Sequence, residues 1–213
     1  MKCALLLPGH MRHYKNTFLN QSETMIGPNN CDIFISTSNL ITSIVKSSYT
    51  TEEKDIKTFE KEIYSIYGDR LKSLIINPEE NSDVLPSPLQ WKRLKECFEQ
   101  KNLYEKKNNF NYDVIIRART DLMYSEPLKI TEEDIKNNKI SLMKHFDRKI
   151  PVHDQFAYGH PESMEKYCNL ISVFTPRHIG GRHEEQLYKW LVEQNIEIEY
   201  IKDFYFRMMR GQD

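Results

Sequence analysis

Four short apolar runs constrain this chain more than any other feature in it. They are residues 3–7 (CALLL), 31–36 (CDIFIS), 71–76 (LKSLII) and 112–118 (YDVIIRA). Each has the length of a strand and is too short for a buried helix. Turn or polar residues close the first three: Pro8-Gly9, Thr37-Ser38-Asn39 and Asn77-Pro78. Segments of helical period lie between them. Residues 52–67 carry Phe59, Ile63 and Ile66 at helical spacing, and residues 89–104 place Trp91, Leu94, Cys97 and Phe98 on one face. Strands alternating with amphipathic helices predict an α/β chain with a mostly parallel central sheet flanked by helices.

The second half is more mixed. Thr131 and Asp134 have the spacing of a capping box that opens a short helix. Residues 139–143 and 155–158 are strand-like. His160-Pro161 predicts a helix start with proline at the first position. Gly180-Gly181 precedes a helix that opens at His183 and carries Leu187, Trp190 and Leu191. Residues 197–208 alternate apolar positions before turning basic. No repeat or linker interrupts the 213 residues, which suffice for one sizeable core, so residues 1–213 read as a single domain. The ending RMMRGQD carries no closing signal, so the chain reads as a monomer or as the first domain of a longer protein.

Charge narrows the partners. With 30 basic and 31 acidic residues the formal net charge is −1, which gives no electrostatic case for bulk nucleic-acid binding. An anionic ligand must be held by a few local cations. The cysteines (Cys3, Cys31, Cys97, Cys168) form no metal-type pairs and read as buried free thiols of a reducing, cytoplasm-like compartment. The apolar run before Pro8 is too short for a signal peptide, and no stretch approaches membrane-spanning length.

In an open α/β sheet, ligands sit outside the carboxyl ends of the strands. There this chain places Pro8, Gly9, His10 and Arg12, then Thr37 and Ser38, then Arg117, Arg119 and Asp121. The plain reading of Arg119 and Asp121 is a structural ion pair. The sharper reading is a diphosphate site: arginine forks hold phosphate oxygens in bidentate fashion, and a neighbouring carboxylate holds Mg²⁺ or Mn²⁺. If the strand runs on unbroken, Arg117, Arg119 and Asp121 share one face. His10 and His13 lack a third ligand at sensible spacing, so zinc is set aside. Trp91 and Trp190 read as core, and Arg207 and Arg210 as a basic surface patch.

The order PGHMR, CDIFISTSN, QWKRLKEC, YDVIIRARTDL, HDQFAYG resembles a family of GT-A-type glycosyltransferases. These occur in bacterial surface-polysaccharide clusters and in large DNA viruses, where they build capsid glycans. The resemblance implies a GT-A-like, Rossmann-type fold, a UDP-sugar donor, a divalent metal (Mn²⁺ or Mg²⁺) and a glycan or glycoprotein acceptor. It places the nucleotide over Gly9, His10, Arg12, Thr37 and Ser38, with Gln90 and Arg93 on the helix before the fourth strand. Asp121 matches the last position of the family's D-x-D metal motif; Arg119 stands where that motif has its first Asp.

Transfer to a hydroxyl needs a general base within hydrogen-bond reach of the acceptor. Asp154, beside His153 and Gln155, is the favoured carboxylate. Glu184 and Glu185 resemble the family's acid residue, although acids in a first helical turn also suit the helix dipole. The stereochemical outcome stays open. The alternatives are a non-catalytic sugar-nucleotide or glycan-binding module, and a nucleotidyltransferase. The latter is expected to carry a glycine-rich basic loop after the first strand, and PGHMRHYKN has one glycine.

Overall fold

The computed structural model describes residues 1–45, 48–78, 86–144, 152–173, 183–202 and 204–209. In chain order the elements are β1 (Cys3–Pro8), α1 (Tyr14–Gln21), β2 (Cys31–Ser38), β3 (Leu40–Val45), β4 (Ser48–Glu53), α2 (Ile56–Tyr67), β5 (Leu71–Asn77) and α3 (Pro86–Asn108). They continue with β6 (Val114–Arg117), β7 (Leu122–Tyr124), β8 (Ile140–Lys144), β9 (Val152–Gly159), α4 (Pro161–Cys168), α5 (His183–Glu193), β10 (Ile198–Tyr200) and β11 (Phe206–Met208).

A seven-stranded sheet in the order β10-β8-β9-β6-β1-β2-β5 forms the centre. β1 runs parallel to both β2 and β6, while β9 runs antiparallel to β6 and β8. This is the Rossmann-type α/β architecture, mostly parallel and flanked by helices. The strand-to-core logic is simple alternation. Leu5, Leu7, Ile33, Ile35, Val114 and Ile116 face one layer with Tyr14, Phe59 and Ile63. Ala4, Leu6, Phe34, Ile115 and Ala157 face the other, against Trp91 and Leu94 of α3, Tyr167 of α4 and Leu187 of α5. Trp91 is buried edge-on to Tyr167, and the Trp190 indole N–H donates to the Lys166 carbonyl oxygen. Both tryptophans are packing residues.

Several expected boundaries move. The helical segment expected at 52–67 begins only at Ile56; before it, β3 and β4 pair as an antiparallel hairpin from Leu40↔Glu53 to Val45↔Ser48. Asp55 then caps the helix, its Oδ1 accepting from the Thr58 amide at 2.9 Å. The box at Thr131 and Asp134 forms, with Asp134 Oδ2 accepting from the Thr131 amide at 2.7 Å, but the turn it opens is a 3-10 helix at Glu133–Asn138. Gly180, Gly181 and Arg210 lie outside the described residues. All four cysteines are buried and free. Among the described residues no helix is long and apolar enough to cross a membrane.

Candidate functional site

The carboxyl ends of β1 and β2, the start of α3 and the segment after β6 converge on one cleft of about 150 Å³. Pro8, Gly9, His10 and Arg12 come from the first loop, and Gln90 and Arg93 from α3; Ser38 and Arg119 complete its polar lining. Three guanidinium groups line it, and no carboxylate does so among the described residues. Thr37 is buried beside the cleft, with its hydroxyl donating to the Ser38 carbonyl oxygen, and is not part of the lining. The volume is below the roughly 300 Å³ at which small-molecule pockets begin.

Gly9 explains how the backbone closes around this cleft. Its φ is +100°, and its amide donates to the Ser36 carbonyl oxygen at 2.9 Å. A Cβ there would meet nothing within 4 Å, so only backbone strain opposes a side chain. Gly9→Ala is therefore expected to cost about 1–3 kcal/mol of stability. Urea unfolding checks this; an unchanged midpoint would mean that the loop relaxes to negative φ.

The cations differ in how they are paired. Arg93 is 6% exposed and lies 3.6 Å from Glu96 Oε2. That same carboxylate accepts from Ser36 Oγ and from Asn77 Nδ2, which ties α3 to the ends of β2 and β5. Arg119 forks onto Asp121: Nε donates to Oδ1 at 2.8 Å and Nη2 to Oδ2 at 2.6 Å. Burial works against the Arg119 charge, but the hydrogen bonds and charge of Asp121, with Asp154 adding, hold the guanidinium above its ordinary value.

This pairing corrects the expected metal ligand. Asp121 is 2% exposed and both its oxygens are occupied by Arg119. Among the described residues no three His, Cys, Asp or Glu side chains are grouped to hold a metal ion. As arranged, with both Asp121 oxygens held by Arg119, these residues do not fit Mn²⁺ or Mg²⁺.

Arg117 is also placed differently from expectation. β6 stops at Arg117, so the alternation does not carry on to Arg119 and Asp121. Arg117 registers with Leu6 and Ala157, which puts it on the α3 and α4 side of the sheet. It is completely buried, and its Nε, Nη1 and Nη2 have no hydrogen-bond partner among the described residues. Its charge is felt by the Tyr124 and Tyr167 hydroxyls, whose titration burial pushes up and Arg117 pulls back down.

Asp154 sits at the start of β9 and reaches the cleft through Gln90, whose Nε2 donates to Asp154 Oδ2 at 3.2 Å. The Tyr167 hydroxyl donates to the Asp154 carbonyl oxygen at 3.3 Å. Glu184 and Glu185 instead occupy the first turn of α5, where Glu185 pairs with Lys189 at 2.9 Å. Neither glutamate lines the cleft.

Sequence reading missed what holds the 119–124 segment. The Gln21 amide donates to the Arg119 and Leu122 carbonyl oxygens at 3.0 and 2.8 Å. Thr17 donates to the Thr120 carbonyl oxygen. Asn20 makes two bonds to the Tyr124 backbone, at 3.0 and 2.7 Å. Thr17 and Gln21 are fully buried polar residues four apart on α1. That spacing was the available signal, but α1 lacks the apolar stripe that would have marked it as a helix.

No protein-family model matches the chain, and no curated protein does either. The chain is similar in structure to a protein described as a glucose-1-phosphate thymidylyltransferase of Bacillus anthracis, solved in complex with sucrose. The TM-score is 0.52 at 10% sequence identity, over 98% of this chain and 89% of that one. At that identity the likeness is one of fold. A viral source and a capsid-glycan role gain no support from these comparisons.

Proposed function

We propose that the chain is a transferase acting on nucleotide sugars, with the cleft holding the diphosphate. The observation that carries this is the cation set at the strand ends: Arg12, Arg93 and Arg119 line the cleft, and Arg117, outside that lining, is buried at the end of β6 with no hydrogen-bond partner among the described residues. The other buried cations described are paired, Lys101 meeting Glu105 at 2.8 Å and Arg93 lying 3.6 Å from Glu96, and the part-buried Arg119 forks onto Asp121. A buried charge without a partner is strongly unfavourable, so Arg117 calls for an anion. Guanidinium forks match phosphate oxygens, and they lie where negative charge develops as a diphosphate departs.

Two chemistries use such a site. In glycosyl transfer, an acceptor hydroxyl attacks the anomeric carbon and the bond to the diphosphate oxygen breaks. The electron pair leaves with the nucleoside diphosphate, and Asp154 takes the hydroxyl proton. Gln90 orients this carboxylate by occupying one oxygen. In nucleotidyl transfer, a sugar phosphate attacks the α-phosphorus of a nucleoside triphosphate and pyrophosphate leaves. The fold shared with the thymidylyltransferase favours this second reading at least as well. The short first loop, with its single glycine, favours the first.

One assay separates them. The protein is incubated with a panel of UDP-sugars, and separately with dTTP and glucose 1-phosphate. Release of UDP supports glycosyl transfer; release of pyrophosphate supports nucleotidyl transfer. Neither product, together with no thermal shift on adding UDP or dTTP, removes the transferase reading.

A further inference from the structure

Past β6 the sheet continues through β9, β8 and β10, and a second recess of about 390 Å³ opens at the same edge. β8 and β10 run parallel to each other, and β9 reverses direction on either side. Their carboxyl ends therefore meet the edge that carries the cleft. Two to three strand spacings, on the order of 10–15 Å, separate the recess from the end of β6.

The lining has a definite chemistry. Tyr200 and Tyr205 supply aromatic surface above the buried Phe204, and Lys144 and Lys202 supply charge. Tyr205 is 53% exposed. Lys144 Nζ lies 5.7 Å from the centre of the Tyr200 ring. Tyrosine offers an apolar face with a wet, polar tip, which suits a ligand that is apolar on one face and hydroxylated at its rim. Lysine is a point charge for a carboxylate or phosphate.

The recess is also built onto the first site. Phe204 stacks on Tyr124 at 5.1 Å with the rings 13° apart. Ser125 and Tyr205 exchange two hydrogen bonds, and β11 pairs with β7. The Met209 amide donates to the Asp121 carbonyl oxygen at 2.9 Å. One short ribbon thus joins the recess to the Arg119–Asp121 pair.

We propose that this recess seats an acidic saccharide chain, bearing carboxylates, as the second substrate of the transferase. This rests on the transferase reading above. The test uses two probes, tetragalacturonate and a hyaluronan tetrasaccharide, in titration calorimetry. Maltotetraose serves as the neutral control and the oligonucleotide dT4 as the polyanion control. The wild-type protein is compared with Tyr205→Ala and with the Lys144→Ala/Lys202→Ala double variant, which alter exposed side chains.

At least one acidic probe is expected to bind roughly tenfold tighter than maltotetraose, and to lose about tenfold in both variants while UDP binding is unchanged. The proposal is overturned if neither acidic probe binds, if the variants bind as wild type does, if maltotetraose binds equally well, or if dT4 displaces the saccharide. If an acidic probe binds as expected but no nucleotide does, the recess stands and the transferase reading falls. If nucleotide binds and the probes do not, the reverse holds.

Discussion

Arg117→Met is expected to raise the unfolding midpoint of the ligand-free protein while abolishing its response to nucleotide. The side chain is fully buried and its three guanidinium nitrogens lack a protein partner among the described residues. Replacing buried charge by an apolar side chain of similar volume is often stabilising, by about 1–4 kcal/mol. At about 2–4 °C per kcal/mol for a domain of this size, the midpoint should rise by several degrees. In the wild type, a nucleotide at about 100 times its dissociation constant should add about 2.7 kcal/mol. In the variant that increment should vanish. Differential scanning fluorimetry with and without UDP or dTTP reads both effects. A midpoint that falls in the variant would assign Arg117 to the architecture and remove the main support for an anion site.

The second large effect is the asymmetry of the Arg119–Asp121 pair. Arg119→Ala strands a carboxylate whose side chain is 3% exposed, and a loss of about 3–5 kcal/mol is expected. Asp121→Leu should cost less, because the Arg119 side chain is 19% exposed and its stem can swing the charge toward the cleft mouth. The double variant Arg119→Ala/Asp121→Leu should be more stable than Arg119→Ala, since no buried charge is left unpaired. Urea unfolding of the four proteins closes the cycle, and a positive coupling of about 0.5–3 kcal/mol is expected. Additive losses would mean that the two side chains act independently.

Much of this frame was legible because it follows from short-range rules. The runs at 3–7, 31–36, 71–76 and 112–118 became β1, β2, β5 and β6, since continuous aliphatic residues suit strands covered on both faces. His160-Pro161 opened α4 as expected, with the imidazole accepting from the Glu162 amide. The convergence of Gly9, His10, Arg12, Ser38 and Arg119 on one cleft followed from the strand ends, and Gln90 and Arg93, which only the family resemblance had pointed to, line it with them. What was not legible depended on partners distant in sequence. Nothing local says that β6 ends at Arg117, whereas the Arg119–Asp121 ion pair was the plain reading of the sequence. The hairpin at 40–53 was hidden by charges that resemble a helix start. α1 was invisible because the face it buries mixes Tyr14 with the polar Thr17 and Gln21 instead of forming an apolar stripe.

Those two side chains, with Asn20, set the order in which the site can exist. Their bonds to the 119–124 backbone span 98 to 104 residues of chain. Contacts of that sequence separation form late, after the loop-closure entropy of the intervening chain has been overcome. The RARTD segment cannot be lifted out as a peptide that keeps its geometry. The amides around it should exchange with solvent only on cooperative opening of the sheet, so that binding competence is acquired in one step with the fold.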